Sequence, residues 1–170
     1  EHNMKGHGDT PYEPVVHLPL MVREPGAGGA SRGGSDDRPI ELVDVMPTIL
    51  ARLKIDAPGP MQGVPFDDAG HPIVIESRTL PVFNTQGSWR ALIDGPYKYI
   101  WNSEGNHMLF DLAADPAEAV NLVMTQSDRA QAMDAQLGAF LDALPAPGPD
   151  AGGEIDEATR RALEGVGYIE

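Results

Sequence analysis

The chain has 170 residues, no cysteine, and 12 Lys+Arg against 26 Asp+Glu, a formal net charge of −14. The missing cysteines exclude a disulfide scaffold, a thiolate zinc site and a cysteine nucleophile within these residues. The acidity argues against a nucleic-acid partner, which needs a basic face. Nineteen Gly and sixteen Pro favour many turns and short elements over a helical bundle or coiled coil. No apolar run is long enough to span a bilayer, and no signal-peptide pattern opens the chain. The start EHNMKGHG, without a methionine, leads us to expect that an upstream part has been lost or cleaved.

Taken in order, Glu1 to Glu13 is polar and rich in His and Gly, and reads as a loop. Val15 to Arg23 is a mostly apolar run without alternation, ending at Pro25-Gly26. Such a run reads as a strand buried on both faces, which belongs to a helix-covered α/β sheet, with Pro19 marking an irregular start or an edge. A Gly/Ser/Arg/Asp loop follows from Gly26 to Arg38. From Leu42 to Leu53, Met46, Ile49, Leu50 and Leu53 fall at helical spacing. Asp44 is placed to cap that helix, Pro47 fits its first turn, and Ala57-Pro58-Gly59-Pro60 stops it.

Pro72 to Glu76, Trp89 to Ile93, Tyr97 to Trp101 and His107 to Phe110 read as strands. Asp94-Gly95-Pro96 and Ser103-Glu104-Gly105-Asn106 separate the last three, the pattern of an antiparallel meander. Alternation in Tyr97-Lys98-Tyr99-Ile100-Trp101 suits a sheet with one solvated face. That same alternation explains the basic and aromatic mixture of Arg90, Tyr97, Lys98 and Tyr99 without invoking nucleic acid. A turn or short helix is expected near Asp115-Pro116, and a helix capped by Ser127 runs to Leu144 with Ala130, Met133, Leu137, Phe140, Leu141 and Leu144 near one stripe. After a Pro/Gly/Ala linker, Asp156 caps a last short helix. The acidity is concentrated late: residues 1–110 hold 14 acids and 9 bases, net −5, and residues 111–170 hold 12 acids and 3 bases, net −9. A solvated helix and tail account for it.

The densest polar cluster is His2, Lys5, His7, Asp9 and Glu13, in a loop that precedes the apolar run. Loops at the ends of buried strands are where α/β folds place their sites. Two His, one Lys and two carboxylates could take a metal or an anion. From spacing alone, a flexible, solvated segment is the favoured reading.

The order of the residues points further. EHNMKGHGDTPYEPVVHLPLMVREPG resembles the sulfatase family of the alkaline phosphatase superfamily, whose members read GEHG, then GHG or GKG, then T-x-YE and a VPLLVR-x-PG strand. ELVDVMPTILARLKI is similar to a family helix, MQGVPF to LQG-x-SL, and WRALIDGPYKYIWN to R-A-x-R-x-G-x-YKYI. MLFDLAADPAEAVNL matches ELYDL-x-x-DP-x-E-x-x-NL, and LEGVGYIE resembles the family tail LRALGYVE. Several ordered motifs thus cover nearly the whole chain. The nucleophile motif C/S-x-P-x-R is absent, as are the family's metal-binding Asp/Asn residues. The chain therefore looks like the carboxy-terminal part of a sulfatase.

The resemblance implies an α/β fold: the end of a large mixed sheet plus a small antiparallel sheet packed by a helix. The expected divisions are residues 1–70, ending the catalytic domain; 71–145, a small α+β subdomain; and 146–170, a linker and short helix. It implies hydrolysis of sulfate esters, on a sulfated small molecule or glycan, by a formylglycine nucleophile and a divalent metal, calcium by family habit, with ligands upstream of residue 1. Only His7 carries over to that machinery, as a sulfate contact, and the chain alone is expected to be inactive. Lys5 is off register and reads as a solvent-facing residue; His2, His17 and His71 read as structural, and Met46 and Met133 as core. His107 lies where it could approach a substrate. The alternatives are a phosphodiesterase, phosphonate hydrolase or phosphoethanolamine transferase of the same superfamily, or a noncatalytic remnant that binds an anion or partner. A periplasmic or secreted location is the expectation drawn from relatives.

Overall fold

The computed structural model describes residues 10–23, 34–68, 70–77, 87–145 and 156–165. The chain divides into two compact units, residues 1–139 and 140–170. In the first, a four-residue helix α1 (Glu13–Val16) begins with Pro14 in its first turn, where the missing N–H does no harm. A 3₁₀ turn (Leu42–Asp44) leads into α2 (Val45–Leu53). Lys54, in the left-handed conformation, closes α2 while the Ile55 N–H reaches the Leu50 carbonyl at 2.9 Å. The helix therefore stops before the Ala57-Pro58-Gly59-Pro60 signal.

Four strands follow: β1 (Ile73–Ser77), β2 (Trp89–Asp94), β3 (Tyr97–Asn102) and β4 (Met108–Asp111). They form one antiparallel sheet in sequence order, with Ile73 opposite Ile93, Leu92 opposite Tyr99 and Tyr99 opposite Leu109. The β2–β3 loop is two residues long because Gly95 supplies a positive φ of 57° at its first position, ahead of Pro96. The expected meander is thus present, with ends shifted by a residue or two.

The long helix α3 (Ser127–Ala143) buries Ala130, Met133 and Leu137. Along its course Arg129 stacks on Tyr97, Asp134 accepts a hydrogen bond from Tyr99, and Gln136 donates to Asp94. The opposite face of the sheet holds a second cluster of Trp89, Ala91, Ile100 and Phe110, against which Tyr12, Ile75, Met108 and Leu112 pack. Both faces are therefore covered. The expectation of one solvated face fails at Lys98, whose side chain is wholly buried.

The outer edges of the sheet are occupied by side chains. The Glu41 carboxylate accepts the Val74 N–H of β1 at 2.6 Å. At β4, the Asn121 side-chain oxygen accepts the Leu109 N–H at 3.0 Å, while the Leu122 N–H returns to the Leu109 carbonyl at 2.7 Å.

Two further expectations are corrected. Residues 15–23 do not form a strand: α1 takes the first two, and residues 17–23 have no regular structure and are exposed. Among the described residues no strand lies beside them to accept their backbone groups, and Pro19 removes a donor. The apolar stripe of α2 is not core either, since Met46 is 55% exposed and Ile49 and Leu53 are exposed too, whereas Pro47 and Thr48 are buried. Met133, by contrast, is buried as read.

In the second unit, α4 (Glu157–Gly165) is capped as expected. Asp156 accepts the Thr159 N–H at 2.8 Å, which holds its carboxyl below the usual carboxylate range.

Candidate functional site

His7, with His2, Lys5 and Asp9, lies outside the described residues, which resume at Thr10. The described residues begin, three positions after His7, with a buried anchor. Thr10 and Pro11 are buried, and the Tyr12 hydroxyl donates to the Met108 sulfur at 3.2 Å. Burial, and then the nearby Glu118 charge, push the Tyr12 hydroxyl pKa up.

Glu13 makes the principal connection. Its backbone N–H donates to Glu118 at 2.7 Å, and its carboxylate accepts from Lys98 Nζ at 2.9 Å. Lys98 Nζ lies 2.8 Å from the Glu118 carboxylate as well, and the side chains of Lys98 and Glu118 are both 0% exposed. One buried ammonium thus serves two carboxylates, one of them fully desolvated, an arrangement tolerable only because each charge has partners. At its outer end Glu13 also meets exposed His17 at 3.2 Å.

Glu118 reaches inward from a strained position, since its φ is +53°. The turn before it is held by Asp115, which accepts the Val120 N–H at 2.8 Å, and by Asp111, which accepts from Ala113 and Ala114. Asn121, three residues on, is the residue that closes the β4 edge. The T-x-YE, YKYI and DP-x-E-x-x-NL segments, far apart in sequence, therefore meet in one buried polar cluster. Sequence reading placed Tyr12 and Glu13 in the T-x-YE motif but missed Lys98 and Glu118, whose partners lie far off in the chain.

A second cluster surrounds Asp44. Its side chain is fully buried and accepts the Glu41 N–H at 3.1 Å, the Val64 N–H at 2.9 Å, and His71 Nε2 at 3.2 Å. Gly63 precedes Val64 at a contact so close that a Cβ there would overlap the Val43 carbonyl. The Thr48 hydroxyl donates to the Asp44 carbonyl at 2.7 Å and accepts the Phe66 N–H at 2.9 Å. Asp44 stands at the N-cap position of α2, as read, but its side chain makes no cap bond to that helix; it joins three segments instead. Burial pushes the Glu41 carboxyl up, against the opposing pull of the Val74 N–H and His71.

Glu41, Asp44 and His71 bring one ligand-type atom each within 4.8 Å of one another. The oxygens of Asp44 hold two backbone N–H groups, Glu41 Oε1 holds a third, and His71 Nδ1 is engaged with the Pro72 carbonyl at 3.0 Å. His71 is structural, as read from the sequence.

His107 lies beside an open cleft of about 240 Å³ bordered by Tyr99, Ser127, Gln131 and Asp134. Its Nδ1 accepts the Asn102 N–H at 3.2 Å, which leaves Nε2 as the ring's outward donor. The Tyr99 hydroxyl donates to Asp134 at 2.9 Å and is held well above its ordinary pKa, chiefly by burial. Nothing in this cleft is a nucleophile poised beside a base.

No protein-family model matches the chain. An arylsulfatase of Clostridium perfringens (strain 13 / Type A) is 29% identical over 143 residues, covering 74% of this chain and 27% of that protein. A choline-sulfatase of Rhizobium meliloti (strain 1021) is 28% identical over 137 residues, covering 77% of this chain and 26% of that protein. Among solved structures, one determined in complex with its substrate D-glucosamine-2-N,6-O-disulfate superposes with a TM-score of 0.51 at 17% identity, covering 58% of this chain and 23% of that one. Ps i-CgsB superposes with a TM-score of 0.53 at 12% identity, covering 75% and 29%. At such identities the solved structures show the fold: an α/β architecture, of which this chain holds the carboxy-terminal antiparallel sheet and its helices. The two curated relatives, each over about three quarters of the chain, support a sulfatase-family sequence, as the motifs implied. The chain spans about a quarter of the length of those relatives.

Proposed function

We propose that this chain acts within a longer polypeptide that hydrolyses sulfate esters of a small molecule or glycan, and that His7 is its contribution to the reacting group. The observation that carries this reading is the buried Glu13–Lys98–Glu118 cluster. It ties the segment just after the His7 loop to the sheet through residues supplied by three family motifs. A loop with such a base can hold a cationic donor in place before substrate arrives, which is what stabilising a developing charge requires.

On this reading His7 donates an N–H, from a neutral ring or an imidazolium, to a nonbridging or leaving oxygen of the sulfate as negative charge grows there. An imidazolium would do so in a pH-dependent way that a lysine would not. The formylglycine nucleophile and the divalent cation implied by the resemblance, calcium by family habit, belong to residues beyond this chain. No step here is assigned to that cation. A periplasmic or secreted location belongs to the same reading.

The exposed apolar residues support a larger polypeptide. Leu18, Leu20, Met21 and Val22 follow one another along residues 17–23, and Leu42, Met46, Ile49 and Leu53 crowd α2, with Met21 at 92% and Leu42 at 80% exposure. Isolated soluble domains seldom leave so many large apolar side chains in water, and an adjoining sheet and helices would cover them.

The test is to express the longest open frame containing these residues and to assay it, with its His7→Ala variant, on an aryl sulfate, a phosphodiester and a phosphonate ester. Sulfate hydrolysis reduced at least tenfold by His7→Ala is the expected result. Faster cleavage of the phosphodiester or phosphonate would move the protein to the phosphoester branch. Turnover of an aryl sulfate by the 170-residue chain alone would overturn the assignment of the nucleophile to residues outside it.

A further inference from the structure

His71 faces only acceptors. Nδ1 lies 3.0 Å from the Pro72 carbonyl, an atom that can only accept, so Nδ1 must carry a proton. Nε2 lies 3.3 and 3.2 Å from the two oxygens of Asp44, while those oxygens already take the Glu41 and Val64 N–H groups. An acid holding two backbone donors is ionised, so Nε2 too must donate. We infer that His71 is held as a doubly protonated imidazolium, forming a proton-operated clasp that fastens the 63–72 connection and the start of β1 to the base of α2.

The geometry leaves little room for a neutral ring. With Nδ1 protonated for Pro72, a neutral imidazole would turn its Nε2 lone pair onto a buried carboxylate. Among the described residues, the charged groups that face the ring are Asp44, fully buried, and Glu41, whose Oε2 is 3.8 Å from Nδ1. Both are acidic and both favour the cation.

Loss of the proton should therefore release the connection at its His71 end. Val64 and Phe66 would remain tied to Asp44 and Thr48, so the change is a local loosening rather than unfolding. The direction follows from linkage. The hydrogen bond to Pro72 is the largest influence and raises the His71 pKa; desolvation, next in size, opposes it, and Asp44 and then Glu41 add to the rise. A histidine raised above its unfolded value lends stability that is fully present below the unfolded pKa and is lost as pH rises through the folded one. The clasp is closed below the folded midpoint, which lies above the unfolded one, and opens as pH rises through it. This inference is independent of the sulfatase reading, because it concerns only residues 41–74.

Long-range ¹H–¹⁵N spectra of the histidine rings in the 170-residue chain provide the test. For His71, assigned by loss of its signals in His71→Gln, both nitrogens should show imidazolium shifts at pH 6, with a midpoint above that of free histidine. Asp44→Asn should lower the midpoint, and Glu41→Gln, which keeps an oxygen for the Val74 N–H, should lower it less. In dilute thermal melts, the advantage of wild type over His71→Gln should be present at pH 6 and vanish as pH rises through the wild-type midpoint. A midpoint at or below that of free histidine would overturn the inference. So would a midpoint unmoved in both acid variants, or an advantage that does not change with pH.

Discussion

Replacing Lys98 by Met removes the single ammonium from a cluster that has two carboxylates and leaves the rest of the side chain in place. Glu118 is 0% exposed, and the ammonium lies 2.8 Å from it and 2.9 Å from Glu13. Without Lys98, the fully desolvated Glu118 carboxylate loses its cationic partner and faces Glu13, whose remaining cationic neighbour is the exposed His17. Breaking a buried pair this way costs about 3–5 kcal/mol, a large share of the roughly 5–15 kcal/mol by which a domain is stable. Removing Glu118's charge instead, as Glu118→Gln, leaves Lys98 paired to Glu13 and keeps an oxygen for the Glu13 N–H, so about 1–3 kcal/mol is expected. The double variant Lys98→Met, Glu118→Gln should recover part of the loss of Lys98→Met, because the uncompensated charge is gone. Urea unfolding followed by tryptophan fluorescence suits the measurement, since both tryptophans, Trp89 and Trp101, lie in the sheet. The Lys98→Met defect should shrink as pH falls, because a buried carboxylate left alone gains a proton more readily folded than unfolded. A Lys98→Met variant within about 1 kcal/mol of wild type, or a double variant no more stable than the single one, would refute the charge-compensation argument.

Other consequences are smaller. Gly63→Ala should lower stability by about 1–3 kcal/mol, because its Cβ meets the Val43 backbone rather than a movable side chain; thermal unfolding reads this directly. Tyr99→Phe loses the bond to Asp134 and should cost about 1 kcal/mol, while in wild type an absorbance titration should find Tyr99, with Tyr12, among tyrosines that stay un-ionised beyond the ordinary range. Met21→Asp with Met46→Asp should raise the solubility of the 170-residue chain with little change in its unfolding midpoint, since both side chains are exposed; a large fall in the midpoint would show that they pack within this chain.

The parts of the fold that were legible in the sequence were those fixed by near neighbours. Gly95-Pro96 dictated a two-residue turn, Gly105 another tight one, and the Ala130, Met133 and Leu137 spacing gave the buried face of α3. Lys98 and Asp44 were misread for the opposite reason. Lys98 meets a partner 85 residues away, and Glu118 takes an N–H from one 105 residues away, distances over which no local pattern carries information. Asp44 has the residue type and position of a cap, yet its carboxylate is taken by Val64, 20 residues downstream. Residues 17–23 failed differently. An apolar run becomes a strand only when something offers it hydrogen-bond partners, and none of the described residues does. His7 was singled out only through motif order, and it lies outside the described residues, which begin at Thr10.

The two edges of the sheet bear on how copies of this protein behave toward one another. An open edge strand is a template on which another chain can add its own backbone. Here a carboxylate takes a donor on the outer side of β1, and an amide with a returning segment takes both the donor and the acceptor of one β4 residue. A second sheet aligning on either side would have to displace a charged or amide group already bonded to it. Growth of ribbons by strand addition is thereby discouraged, and any self-association of this chain should run through its bare apolar side chains, in amorphous rather than fibrillar form.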